Sequence, residues 1–341
     1  MNSPRLIEKM ENNLWMVRSG ESGYLFEKFM EQNIVAIGWN EIGDITKKLD
    51  LEDLKHKIQT SYPTYKISQV NNFAGQIFRF KNEFKKGDNV ITYNPETRHY
   101  TLGKITSNYK YSAEKEFNHY REVAWEKTIP RDNFSTRTKN TLGSVLTIFK
   151  ITGNAWEEIL GKTRTATSSG SIEDDAEEEV EETLDLLKEN FEAKSHEFIK
   201  DKVQALDWEE MEELIAGILR GMGYKTILTP KGPDRGVDIV ASPDGLGLEN
   251  PRIKVEVKHR QNAMGASEIR NFIGGLRPND KGLYVSTGGF SKDAKYEAER
   301  SNNPLTLIDL DLLVHLIVQH YDQFDPDTRS LIPLKRIYWP V

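Results

Sequence analysis

The sequence predicts a chain of two domains: an α/β domain with a mixed sheet flanked by helices, preceded by an α+β domain built on a small curved sheet or barrel. Three observations carry this. From about residue 205 onward, helical and strand-like apolar periods alternate, the pattern of a sheet covered on both faces. Residues 1–155 are instead rich in short strands separated by turn residues, with a few helices inserted. Between the two, Gly161 to Ser171 is small and polar and runs directly into acids, a composition that cannot bury a core. Domains are therefore expected at 1–160 and 205–341. A flexible acidic linker at 161–180 and an amphipathic connecting helix at 181–204, with Leu184, Leu187, Phe191 and Phe198 as apolar points, should join them. A length of 341 residues is enough for two cores.

In the first domain, Leu14 to Arg18 is expected as a strand, Gly20 to Gly23 as a turn and Tyr24 to Gln32 as a helix. Ile34 to Trp39 is a second, largely apolar strand. Helices are expected from Leu51 to Gln59 and from Ser68 to Phe80, after the break at Pro63. A hairpin follows, with Lys86 to Tyr93 turning through Asn94-Pro95-Glu96-Thr97 into Tyr100 to Ile105. Val123 to Trp125 and Val145 to Phe149 supply later strands.

Composition excludes several chemistries. With no Cys there are no disulfides and no thiolate zinc site, which agrees with a reducing compartment. The seven His are scattered, without an HExxH pair. No apolar run approaches bilayer-spanning length and the opening residues lack a signal-peptide core, so a cytoplasmic protein without a membrane partner is expected. The net charge of −7 is unevenly spread: residues 171–200 hold twelve acids against three Lys, whereas residues 1–170 hold 25 basic and 20 acidic side chains. The acidic total therefore does not argue against DNA binding by the first domain.

The chemistry gathers in residues 208–260. In Lys254-Val255-Glu256-Val257-Lys258 apolar and charged residues alternate, so Glu256 and Lys258 share one face of a strand. Gly236 to Ala241 is a second strand with an acid, Asp238, among apolar residues. Such an acid needs a cation or donors to face. The short, breaker-rich link allows an antiparallel pair that sets Asp238 beside Glu256. Two adjacent carboxylates repel unless a divalent cation sits between them, which is the logic of a Mg²⁺ site, with Mn²⁺ as the alternative ion. Lys258 is placed to orient an attacking water or to neutralise charge on a phosphate. On the preceding helix, Met211, Leu214, Ile215, Ile218, Leu219 and Met222 form one apolar face, with Glu212 at its border, either as a further acid of the site or as an edge residue in a salt bridge.

These residues carry a resemblance. Asp238, seventeen residues, then Glu256-Val257-Lys258 matches the D…(D/E/Q)xK signature of the restriction-endonuclease-like fold. With Met211 to Ile215, Gly221-Met222-Gly223-Tyr224, Gly274-Gly275-Leu276 and Tyr284 to Ser291, the stretch 205–320 resembles the Mrr-type restriction endonuclease catalytic domain. That family commonly has Gln where Glu256 stands; either residue offers an oxygen ligand. The resemblance implies Asp238, Glu256 and Glu212 at the metal, and a catalytic set of Glu212, Asp238, Glu256 and Lys258. It implies a Mg²⁺-dependent endonuclease cutting DNA phosphodiesters, in restriction or phage defence, acting as a homodimer or higher homo-oligomer.

More faintly, the strands around Trp15-Met16-Val17-Arg18, Ile37-Gly38-Trp39 and Gly87-Asp88-Asn89-Val90 resemble PUA-like modules, including EVE-type readers. Such modules take a flipped or modified base into an aromatic pocket, where stacking contributes roughly 1–3 kcal/mol. Trp15, Trp39, Tyr109 and Tyr111 are the aromatic candidates, Arg18 and Lys104 the phosphate contacts, though a Trp on a strand is more often core. In the second domain Ser291 should cap a helix whose Lys292 and Lys295 either touch phosphate or are solvated. Two other functions compete: a structure-specific nuclease of the Holliday-junction type, and a non-catalytic reader of modified nucleic acid.

Overall fold

The structure, a computed structural model, describes residues 12–161, 184–229 and 236–339. The expected acidic linker after Gly161 and the turn Lys231 to Arg235 lie outside the described residues. The chain divides into two compact units, Met1–Ala193 and Lys194–Val341.

In the first unit, strands β1 (Leu14–Val17), β2 (Ile34–Ile37), β3 (Asn89–Asn94), β4 (His99–Ile105), β5 (Lys110–Tyr111), β6 (His119–Pro130) and β7 (Ile148–Ile151) form one sheet. Its order is β2-β6-β4-β3-β1-β7, with β5 on β6. All pairs are antiparallel except β1 with β3. The long β6 pairs with β2 over His119 to Glu122 and with β4 over Val123 to Pro130, where β4 is irregular between Leu102 and Gly103. Gly103 has no room for a side chain, since a Cβ there would meet the Ala124 carbonyl at 2.7 Å. Such an irregularity bends a strand, and the sheet curls into a half-barrel.

Helices α1 (Phe26–Gln32), α2 (Leu51–Ser61) and α3 (Ile67–Asn82) cover one face of this sheet, and α4 (Thr136–Leu142) and α5 (Gly153–Leu160) contribute to the core on the other. The pleat of β1 divides its side chains: Trp15 and Val17 enter the first core, Leu14 and Met16 the second. A capping box of Asp50 and Asp53 starts α2, and Ser135 caps α4. Pattern reading missed α4, α5 and β5, which are short and weakly periodic. The connecting helix α6 (Leu184–Gln204) differs from expectation in its buried positions. Phe191 is 59% exposed, whereas Asn190, Ile199, Lys200 and Val203 are buried.

The second unit holds α7 (Trp208–Gly221), β8 (Lys225–Leu228), β9 (Ile239–Ser242), β10 (Arg252–Lys258), α8 (Ala266–Gly275), β11 (Asp280–Ser286), α9 (Lys292–Glu299), β12 (Leu305–Ile308), α10 (Leu310–His320) and α11 (Pro326–Leu331). The sheet order is β12-β11-β10-β9-β8, antiparallel from β8 to β10 and parallel from β10 to β12. One core lies between α7, α10 and the Ile253, Val255 and Val257 side of β10. The other lies between α8, α9 and Tyr284. The α7 stripe is buried as its period requires, with Asp207 and Glu210 forming the capping box at its start. Ser291 caps α9, its hydroxyl accepting from the Ala294 N–H at 3.1 Å. Among the described residues no helix is long and apolar enough to cross a membrane.

Candidate active site and nucleic-acid interface

The expected strand Gly236 to Ala241 begins three residues late, at Ile239. Asp238 nevertheless docks on β10: its N–H donates to the Val255 carbonyl at 2.8 Å, and its Oδ2 accepts from the Val257 N–H at 2.7 Å. The carboxylate is thus pinned beside the next residue back, Glu256. Glu256 lies across from Tyr284 in register, and the Tyr284 hydroxyl donates to its Oε1 over 3.5 Å. Lys258 Nζ stands 2.7 Å from the same Oε1. The spacing of two along β10 therefore does bring these side chains together on one face.

Glu256 is only 9% exposed. Burial raises its carboxyl above the usual range; the Lys258 ammonium pulls it down, and the nearby Asp238 charge pushes it up again. On the far side, Gly236 takes a left-handed φ of 52°, and a Cβ there would stand 3.2 Å from Glu256 Oε2. Glycine leaves that oxygen open. Ser286, opposite Lys258 in register, has a buried hydroxyl without a hydrogen-bond partner among the described residues. Two mutually repelling carboxylates with free oxygen edges, beside an orphaned hydroxyl, form a hard-oxygen setting that fits a divalent cation such as Mg²⁺.

Glu212 is half-buried on α7. Among the described residues no three carboxylates or imidazoles come together at metal-binding range. α7 packs against the Val255 and Val257 face of β10, while Glu256 meets Tyr284 on the opposite face. Lys292 and Lys295 lie exposed on the first turn of α9.

The nucleic-acid candidates of the first unit separate into two groups. Trp15 is 1% exposed, stacked on Phe84 at 4.4 Å, with its indole N–H donating to Asp88 at 3.0 Å. It is a core residue, because β1 is buried on both faces. Arg18 donates through Nε to the Ser144 carbonyl at 2.7 Å and also to Leu142, which ties down the end of α4 rather than offering a fork to phosphate. Lys104 forms a surface ion pair with Glu126 at 2.6 Å. The other three aromatics lie close to His119. The Tyr109 hydroxyl bonds His119 Nδ1 at 2.6 Å, the Tyr111 ring lies 5.3 Å away, and the Trp39 backbone borders the imidazole. The Trp39 side chain itself packs on Phe73.

Sequence reasoning missed His119, Gly236 and Tyr284. His119 is fully buried, and its Nε2 has no hydrogen-bond partner among the described residues. Burial pushes it down to about 4, against weaker opposing effects of the Trp39 backbone and Asp44. Its only sequence signal was a His on a strand flanked by aromatics. Gly236 was legible as a glycine directly before Val237-Asp238; Tyr284 needed the β10–β11 register.

Comparison with known proteins gives two family matches. The model of the restriction endonuclease family matches residues 203–317, and that of a domain of unknown function matches residues 15–152. A curated relative, the uncharacterized protein y4cE of Sinorhizobium fredii, is 28% identical over 98 residues, covering 28% of this chain and 25% of the relative. The chain thus spans about a quarter of the length of that relative. Two solved structures are similar at low score. The DNA modification-dependent restriction endonuclease AspBHI has 16% identity, a TM-score of 0.32, and coverage of 77% of this chain and 72% of that one. The MspJI restriction endonuclease in complex with a 27-mer oligonucleotide has 13% identity, a TM-score of 0.27, and coverage of 77% and 69%.

Proposed function

Taking as premise that residues 203–317 are an Mrr-type restriction-endonuclease domain, we propose that the chain is a metal-dependent endonuclease that hydrolyses DNA phosphodiester bonds. The observation that supports this most is the meeting of Asp238, Glu256 and Lys258 within that domain, with Lys258 Nζ 2.7 Å from Glu256. Asp238, held through Oδ2, would present its other oxygen, and Glu256 would present Oε2 past Gly236. These two would hold Mg²⁺ or Mn²⁺, which when bound supplies a Lewis acid for the phosphate and an activated water. Lys258 would orient the nucleophile and offset charge on the phosphoryl oxygens. Glu212 would assist the metal or its water.

The N-terminal unit would select the DNA, by a base modification, with Trp39, Tyr109 and Tyr111 as its contacts. Cutting both strands needs two such sites, so a homodimer or higher homo-oligomer is expected. A restriction or phage-defence role follows from selecting modified DNA.

The test incubates the full chain and Asp238→Ala with unmodified, cytosine-methylated and hydroxymethylated DNA, with and without Mg²⁺. Cutting of one class that requires Mg²⁺ and is lost in the variant supports the proposal. Cutting that survives Asp238→Ala, or an intact substrate in every arm, overturns it.

A further inference from the structure

The first unit contains a cavity of about 400 Å³, with Tyr109 the one expected nucleic-acid contact among its lining residues. That volume lies within the roughly 300–1,000 Å³ of small-ligand pockets. Its walls come from the end of α3, the turn into β3, the loop before β5, and β6. They carry four cations: Lys81, Lys85, Lys86 and Arg121. Tyr109 and Asn108 line the same space.

The cations are of two kinds. Arg121 is 1% exposed, and its guanidinium donates to the carbonyls of Phe80 at 2.8 Å, Lys81 at 2.8 Å and Ser107 at 3.2 Å. It therefore caps the C-terminal end of α3, offsetting the negative end of that helix, and the Asp88 carboxylate acts on it through its field rather than by a salt bridge. Lys85 and Lys86 are exposed at the mouth, and neither ammonium has an acid partner among the described residues. Lys81 is held by the Lys47 carbonyl. Asp44 is the acid whose field reaches Lys81 and Tyr109. A cavity so charged favours an anion. Its neutral donors and its aromatic wall favour a phosphate attached to a nucleoside.

We propose that this cavity binds a phosphate group of a nucleotide, with Lys85 and Lys86 on its oxygens, Arg121 fixing the floor, and Tyr109 placing the attached nucleoside towards His119. The proposal rests on the reading of the first unit as the DNA-selecting one, and it moves the phosphate contacts from Arg18 and Lys104 to this cavity. The phosphate belongs either to a DNA strand or to a free mononucleotide, and the experiment separates these sources.

The experiment compares the full chain with Lys85→Gln/Lys86→Gln and with Lys48→Gln/Lys150→Gln, which removes the same charge from exposed lysines that do not line the cavity. Binding of a labelled DNA duplex is measured without divalent cation between 50 and 200 mM salt, and binding of dTMP and of inorganic phosphate by calorimetry. Each phosphate contact contributes about −0.9 to the log–log salt slope. Losing two should flatten the slope by roughly 1.8, so that the wild type loses about tenfold more affinity than the cavity variant across this range. That result, absent in the control variant, supports a DNA-strand phosphate. Unchanged DNA binding with dTMP binding lost in the cavity variant alone supports a free nucleotide. If neither DNA, dTMP nor phosphate distinguishes the cavity variant from the control, the proposal is overturned. Cleavage of the same DNA with Mg²⁺ added, at saturating protein, reads the endonuclease proposal separately. Retained cleavage with unaltered binding sinks the cavity alone; binding lost in the cavity variant with no cleavage anywhere sinks the nuclease alone.

Discussion

Replacing Glu256 with Gln should make the metal-free protein more stable at neutral and alkaline pH. Burial is the chief cause that raises the Glu256 carboxyl, and the Asp238 charge adds to it. A carboxyl raised in the folded state contributes stability that is fully present below its unfolded value and is lost as pH rises through the folded value. At pH 8 the wild type therefore carries a buried charge at a cost that Gln avoids. Gln also keeps an acceptor for the Lys258 ammonium and the Tyr284 hydroxyl, so no donor is stranded. Lys258 is a third exposed on its side chain, and water softens what remains of its loss. Relief of this kind is worth about 1–2 kcal/mol. That corresponds to a Tm rise of roughly 3–6 °C for a unit of this size. Thermal unfolding at pH 8 and pH 4.5, with chelator, measures it: the advantage should shrink at the lower pH, where a raised carboxyl gives up more of its charge. Mg²⁺ should then reverse the order, since a ligand at a hundredfold excess over its Kd adds about 2.7 kcal/mol to the form that binds it better. An equal difference at both pH values, or a variant less stable at pH 8, would refute the reasoning.

Gly236→Ala should lose about 1–2 kcal/mol from the left-handed backbone, and its methyl would crowd Glu256 Oε2 at 3.2 Å. Cleavage rate should therefore fall further than Tm predicts. In the first unit, His119 is held neutral down to about pH 4. A folded value depressed this far gives stability that is present above the unfolded value of about 6.5 and is lost as pH falls through the folded one, by about 3 kcal/mol in all. Denaturant titrations between pH 7 and 4 should show this loss, and His119→Gln should flatten it. Trp15→Ala should cost about 3–5 kcal/mol and leave Asp88 short of its indole donor. DNA cleavage per folded molecule should be unaffected, as a melting curve paired with an active-site titration would show.

Where local period and burial agree, the sequence was readable. The α7 stripe, the β3–β4 hairpin and the antiparallel partnership of β9 with β10 all follow from patterns within a few dozen residues. So does the shared face of Glu256 and Lys258, because a strand's period of two is independent of its neighbours. The position of Glu212 lies at the limit of that reasoning. Helical geometry placed it at the border of an apolar stripe, but which face of the sheet that stripe covers is decided by the register of β10 against the rest of its sheet. Trp15 failed for a related reason: a strand left open on one side offers an aromatic to ligand, and only the packing of α1, α2 and α3 over its face, with Phe84 against the indole, removes that option. The group around His119 and the cavity beside it draw on residues from α3 to β6, a convergence that no single window contains.

The divided side chains of β1 bear on how the first unit would tolerate rearrangement. Four residues anchor two hydrophobic layers at once, with Trp15 and Val17 facing one and Leu14 and Met16 the other. Neither layer can then be transplanted as a cassette, and a circular permutant opened between Leu14 and Val17 should fail even where one opened at the Asn94–Thr97 turn folds. The amides that β1 donates to β3 and β7 should be among the last to exchange with solvent, since releasing them means dissolving both layers together.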